Sequence, residues 1–199
     1  VEKFLIARRL MYWQVYLHKT SLVAELLLER VLVYARKLTK DRVILKTSNS
    51  LSYFLNTTNH EINSLDFLKR FALLDDYDIV SSLKEWQHHS NFVLSDLSSR
   101  ILNRNLLKIR FQNTPFSNSQ VEEKRATLST LNVKDTAMDN YVFTGGISNQ
   151  AYVPDIKAIM ILTKSGEVNS LQEHSQLFFE NSFSKLESKF YLCFAKPNF

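Results

Sequence analysis

The chain has 199 residues, 45% of them apolar and 23% charged, with one cysteine and a net charge of +5. That length suits one large domain or two small ones, and that composition excludes a disordered, collagen-like or disulfide-scaffolded chain. Three glycines and three prolines leave turns scarce, so long helices are expected. No run of about 18 uncharged apolar residues occurs, so no membrane-spanning helix is expected. The first residues are charged and lack a small-residue cleavage site, so no signal peptide is expected. Cys193 cannot form an internal disulfide, which fits a reducing, cytoplasmic setting. The mild basic excess, with pI near 9.2, suits anionic partners such as nucleotides. The chain starts with Val and enters helical periodicity at once, so a piece of a longer polypeptide is expected.

Residues 2–39 read as one long helix. Leu5, Ile6, Leu10, Met11, Val15, Leu22, Val23, Leu26, Leu27, Val31 and Val33 recur at three- and four-residue steps. Residues 40–47 read as an irregular link. Ser50 is expected to cap a short helix to Asn56, and Asn63 or Ser64 to cap the next. Asp75 or Asp76 opens DDYDIVSSLKEWQHH with acids in its first turn. A further helix, NFVLSDLSSRILNRN, ends near Asn103.

The pattern changes at Leu106, where LLKIRFQ alternates as a strand does. Ser119 and Glu122 form a capping-box pattern for a helix to about Leu131. Strands are expected at 141–143, 157–163 and 189–195, with a turn at 164–167 and a break or bulge at Gly145-Gly146. The expected fold class is α+β: a mostly helical lobe over 1–104, then a small α+β lobe over 105–199.

The five histidines show no metal-ligand spacing and have no cysteine partner, and adjacent His88 and His89 point about 100° apart on a helix. No phosphate-binding glycine loop or nucleophile elbow is present, so no catalytic residue is nominated. The first helix carries more. Arg8, Tyr12, Val15, Tyr16 and Lys19 share a sector of about 100°. Arg offers a planar fork to phosphate, Lys a point charge, and Tyr a hydroxyl with a flat face. An amphipathic seam with tyrosines at the core boundary explains the same stripe. Arg104, Lys108 and Arg110 form a second basic cluster, for which a cation at a helix C-terminus is the plain alternative.

ARRLMYWQVYLHKT at 7–20 resembles the helix that follows the catalytic core of HD-domain phosphohydrolases, and most of all the deoxynucleoside triphosphate triphosphohydrolase family. NRNLLKI at 103–109 is similar to that family's basic motif after its helical lobe, and DDYDIVSSLKEWQHH fits the helix before it. ISNQAYVPDIKAIMILTKSGEVNSL at 147–171 and KFYLCFAK at 189–196 resemble its C-terminal lobe. The resemblance implies a metal-dependent hydrolysis of nucleotides. The divalent metal, Mg or Mn, would be held by an H…HD…D set upstream of Val1. This sequence contains no His-Asp dipeptide, so the chain alone is expected to bind no metal and to be inactive.

By the same resemblance, Arg8 contacts substrate phosphate, and Tyr12 and Tyr16 line the sugar and base pocket, with His at the Tyr12 position in some relatives. His18 and Lys19 match a stretch that approaches a regulatory nucleotide between subunits, which Arg104 and Lys108 join. The expected partners are a nucleotide or another phosphorylated small molecule, further copies of the chain in a homo-oligomer, and the missing HD half. A non-catalytic module that binds a nucleotide or assembles subunits is the alternative. Nucleic acid ranks last, because the basic residues are dispersed among acids.

Overall fold

The periodic run that opens the chain folds as two α-helices around a π-helical turn, not as the single helix expected over 2–39. The structure, a computed structural model, describes residues 2–57, 64–128, 135–149, 159–171 and 187–196. Helix α1 spans Glu2–Met11, the π-turn Tyr12–Tyr16, and α2 Lys19–Lys40. The Leu17 amide donates to the Tyr12 carbonyl at 2.7 Å, five residues back, and the His18 amide reaches the Val15 carbonyl at only 3.4 Å. The YWQVY sequence accounts for the interruption. All but Gln14 are aromatic or β-branched, the types least suited to a tight α-turn. Apolar spacing cannot register such an inserted residue.

Beyond the π-turn, α2 buries Leu22, Val23, Leu27, Val31, Ala35 and Leu38. Each of its large side chains contributes about 1.5–3 kcal/mol of burial. Its end is a Schellman cap: the Arg42 amide donates to the Thr39 carbonyl at 3.0 Å, and the Val43 amide to the Leu38 carbonyl at 2.9 Å. Arg42 holds φ at 62°, where glycine is the usual occupant.

Among the described residues four short helices follow, each opened by a side-chain cap. They are α3 (Asn49–Asn56), α4 (Leu65–Ala72), α5 (Asp76–Trp86) and α6 (Phe92–Leu102). Ser48, not Ser50, caps α3 by accepting from the Leu51 amide at 3.2 Å, because the helix starts one residue before Ser50. Ser64 caps α4, Asn91 caps α6, and Asp75 caps α5 in a reciprocal box with Asp78. Bonding to Ser48, then to the Asp75 amide, holds the Asp78 carboxyl below its ordinary range. Trp86 is buried, and its indole donates to the Lys46 carbonyl at 3.0 Å, which ties α5 to the irregular stretch after α2.

The second half supplies β1 (Lys108–Gln112), α7 (Asn118–Ala126), a 3₁₀ turn at Asp135–Asn140, β2 (Val142–Asn149), β3 (Met160–Leu162), β4 (Val168–Ser170) and β5 (Glu187–Phe194). One sheet has the order β1-β5-β2, and β3 and β4 pair antiparallel with Ile161 opposite Asn169. The fold class is α+β. The hairpin turn uses Gly166 at φ 86°. The capping box of α7 lies two residues before the expected one: the Ser117 amide donates to Gln120 Oε1 at 2.9 Å, and the Gln120 amide donates to Ser117 Oγ at 3.4 Å. The expected end near Leu131, and residues 157–158 of the expected strand, lie outside the described residues.

Gly145 and Gly146 do not break β2. They sit inside it, because a Cβ on Gly145 would overlap the Tyr191 phenol.

By contact the chain forms two compact units, each built from separated stretches. The first comprises Val1–Leu22, Ile109–Val121 and Thr144–Leu192. In it Leu5 of α1 and Leu171 are buried together, with Ile159 and Ile161 packed against them. The second comprises Val23–Lys108, Glu122–Phe143 and Cys193–Phe199. Its buried residues include Leu27, Val31, Leu83, Trp86, Leu94, Leu97 and Tyr141.

Candidate functional site

Leu5 sets the orientation of α1. With that residue turned into the first unit's core, Arg8 and Tyr16 are left exposed and Tyr12 half-buried. The Arg8 guanidinium carbon lies 5.7 Å from the centroid of the Tyr12 ring. The Tyr12 and Tyr16 rings are 5.1 Å apart and tilted by 49°. The structure thus brings Arg8, Tyr12 and Tyr16 into one stack, in which a cation rests over an aromatic face. His18 sits in the break before α2, where its Nδ1 accepts from the Thr20 amide at 3.3 Å. Lys19 is the first, exposed residue of α2. The stack offers a guanidinium fork, two phenols and flat rings, groups whose chemistry suits phosphate and a planar ring.

Arg104 and Lys108 belong to the second unit. Arg104 follows α6 with φ at 55° and donates its amide to the Ile101 carbonyl at 3.2 Å. The Asn105 amide donates to the Arg100 carbonyl at 2.9 Å, completing a second Schellman cap with arginine at the left-handed position. Lys108 opens β1 and is exposed. Four residues before Arg104, Arg100 is buried and donates through Nε to Asp96 at 2.7 Å, an ion pair that fixes the last turns of α6.

Two clefts flank α3, of about 490 and 260 Å³, and none of the seven predicted residues lines either of them. Arg70 lines the larger. It lies 4.6 Å from the Tyr53 ring centroid and donates to Asp66 at 2.8 Å, so its charge is already matched. No motif spacing marked this cleft in the sequence, since its polar side chains come from both α3 and α4. Among the described residues no cluster of three or more His, Cys, Asp or Glu side chains could hold a metal ion. The Cys193 thiol is buried, and burial pushes it up from 9.0 to about 12 against the opposing charge of Arg30. A thiol so protonated is no nucleophile at neutral pH.

No family model matches the sequence. An uncharacterised protein of Bacillus subtilis, YwfO, is 25% identical over 186 residues, which cover 89% of this chain and 40% of that protein. The crystal structure of a phosphohydrolase from Bacteroides thetaiotaomicron superposes with a TM-score of 0.89 at 37% identity. It accounts for 98% of this chain but only 49% of its own. The chain thus has the fold of half of a phosphohydrolase, and it spans about half or less of the length of these two proteins.

Proposed function

We propose that this chain is the accessory half of a metal-dependent HD-type phosphohydrolase acting on a nucleotide, and specifically on a deoxynucleoside triphosphate. The observation that carries the reading is the Arg8–Tyr12–Tyr16 stack, set on a fold shared with a phosphohydrolase. Arg8 binds the substrate phosphates through paired N–H donors, and the two tyrosines orient sugar and base. Because a guanidinium stays charged across the working pH range, Arg8 supplies binding and orientation and no proton transfer. A divalent Mg or Mn ion would polarise the phosphate when bound. The described residues do not offer it a ligand set, so no step through it is assigned to this chain, and its ligands belong to a complementary HD half.

His18, Lys19, Arg104 and Lys108 are assigned to a regulatory nucleotide or subunit interface in a homo-oligomer. The test is release of triphosphate or phosphate from deoxynucleoside triphosphates, with Mn or Mg, by a polypeptide holding both halves. Arg8→Ala is expected to lower kcat/KM by about 100-fold, the effect of removing one charge-stabilising donor. Lys108→Ala should leave basal turnover near wild type and disturb assembly or activation. Equal effects of the two substitutions would refute the role assignment. Nucleotide binding without hydrolysis would favour a non-catalytic module instead.

A further inference from the structure

The larger of the two clefts beside α3 is walled by polar side chains that the proposed function leaves unused. Asn49, Ser52, Tyr53 and Asn56 stand at i, i+3, i+4 and i+7, so they share one face of α3. Leu51 and Leu55, on the other side of the helix, are buried. Helix α4 supplies the opposing wall through Arg70, whose guanidinium carbon lies 4.6 Å from the Tyr53 ring centroid. The two helices are held together there by Phe54, whose ring packs edge-on to Phe67 at 5.2 Å and to Phe71 at 6.1 Å. Ser52 and Tyr53 are half-buried between the walls. The polar face of an ordinary surface helix would meet water and lack the second wall.

The walls keep hydrogen-bonding capacity. Among the described residues no protein group bonds the Asn49 carboxamide, the Ser52 hydroxyl or the Tyr53 phenol. Asn56 donates one N–H to the Ser52 carbonyl at 2.8 Å and keeps its side-chain oxygen as an acceptor. Arg70 uses its Nε on Asp66 at 2.8 Å, which leaves the N–H donors of both Nη atoms.

Charge and wall chemistry select the ligand. Arg70 is the one charged residue among the six that line the cleft, and Asp66 already matches it. An anion entering here would meet the Asp66 carboxylate beside its only cation, so the cleft favours no net charge. Carboxamides and hydroxyls both donate and accept, as a ligand hydroxyl does. The volume of about 490 Å³ lies in the range of small-molecule sites, yet the lining has one aromatic ring and no large aliphatic side chain. That lining suits a polar ring and not a lipid or a mainly apolar molecule.

We propose that the cleft between α3 and α4 binds an uncharged, hydroxyl-rich ring compound, either a free sugar or the sugar of a nucleoside. Asn49, Ser52, Asn56 and Arg70 bond its hydroxyls. The proposal stands apart from the Arg8 stack and from the hydrolytic reading above. With few apolar contacts the affinity is modest, with a Kd of about 1 mM.

Nitrogen–proton NMR of the 199-residue chain tests this, because the side-chain amides of Asn49 and Asn56 and the backbone amides of Ser52 and Tyr53 report from the cleft itself. D-ribose, D-glucose and deoxycytidine are the probes. At least one should shift these signals saturably. Shifts with ribose or glucose assign a free sugar, and shifts with deoxycytidine alone assign a nucleoside. Asn49→Ala should weaken binding by about 5-fold, the effect of one lost hydrogen bond. Arg70→Lys, which keeps the charge and removes the fork, should weaken it similarly. Unchanged signals far from the cleft show that each variant is folded. No saturable shift with any of the three probes overturns the site, as does binding that both substitutions leave intact. Deoxycytidine monophosphate separates charge from hydroxyls, and it should bind no more tightly than deoxycytidine. Binding about 10-fold tighter, and weakened by salt, overturns the uncharged class in favour of a phosphate site.

Discussion

Helices α1 and α2 carry apolar residues at the same spacings, yet α2 buries six of them and α1 buries only Leu5. The difference lies in what surrounds each helix. The chain supplies α2 with a core, whereas among the described residues α1 packs on Leu171 and its neighbours. Periodicity in a sequence therefore reports a helix and its apolar face, without saying how much of that face the chain buries.

That contrast can be broken most directly by truncation. Leu27→Ala should destabilise the chain by about 2–5 kcal/mol and Trp86→Ala by about 3–5 kcal/mol, measured by urea unfolding. Met11→Ala should change the same chain by no more than about 0.5 kcal/mol. Comparable losses at Leu27 and Met11 would show that α1 is already packed.

The buried region that contains most of α2 should also be sensitive to alkali. The Cys193 thiol is raised to about 12 in the folded state, against 9.0 for an ordinary thiol. Above pH 9 the unfolded chain loses this proton and the folded chain retains it, so stability present below pH 9 is lost as pH rises toward 12. Burial, and then the Asp96 carboxylate, raise the Tyr141 phenol in the same direction. Cys193→Ala should flatten the decline in an alkaline unfolding series. An unchanged slope would assign it to other groups.

The unit that holds α1 has its own tight point. Gly145→Ala would push a methyl into Tyr191 and should cost about 1–3 kcal/mol, whereas Gly146→Ala, whose nearest neighbour is Phe190 at 3.6 Å, should cost less. The smallest effects should come at the two left-handed arginines. Glycine relieves backbone strain but frees the unfolded chain, so Arg42→Gly and Arg104→Gly should each shift stability by no more than about 1 kcal/mol. If Arg104 also binds a regulatory anion, only its replacement should impair activation.

Much of this architecture was legible in the residues. Ser64 and Asp75, each one of two neighbouring candidates, open helices because their short polar side chains accept the first free amides. The strand at Lys108–Gln112 and the Gly166 turn followed from alternation and glycine placement. The stack of Arg8 on Tyr12 and Tyr16 was legible as spacing. Other features were not, for local reasons. Ser48 competed with Ser50 for the same helix start, and Ser117 with Ser119. Gly145 looked like a break because its partner, Tyr191, lies 46 residues away (191 − 145). The π-turn left no mark in the apolar pattern at all.

The π-turn decides where in this region a change of length matters. Loops usually absorb a gained or lost residue without consequence, and an α-helix does not. Five residues at about 4.4 per turn sweep nearly the same angle as four at about 3.6 per turn. Deleting one residue between Tyr12 and Tyr16 should therefore let the turn close as ordinary α-helix while Leu5 keeps its place beside Leu171. The same deletion between Leu5 and Met11 would rotate Leu5 by about 100° relative to the residues after it and take it out of that place.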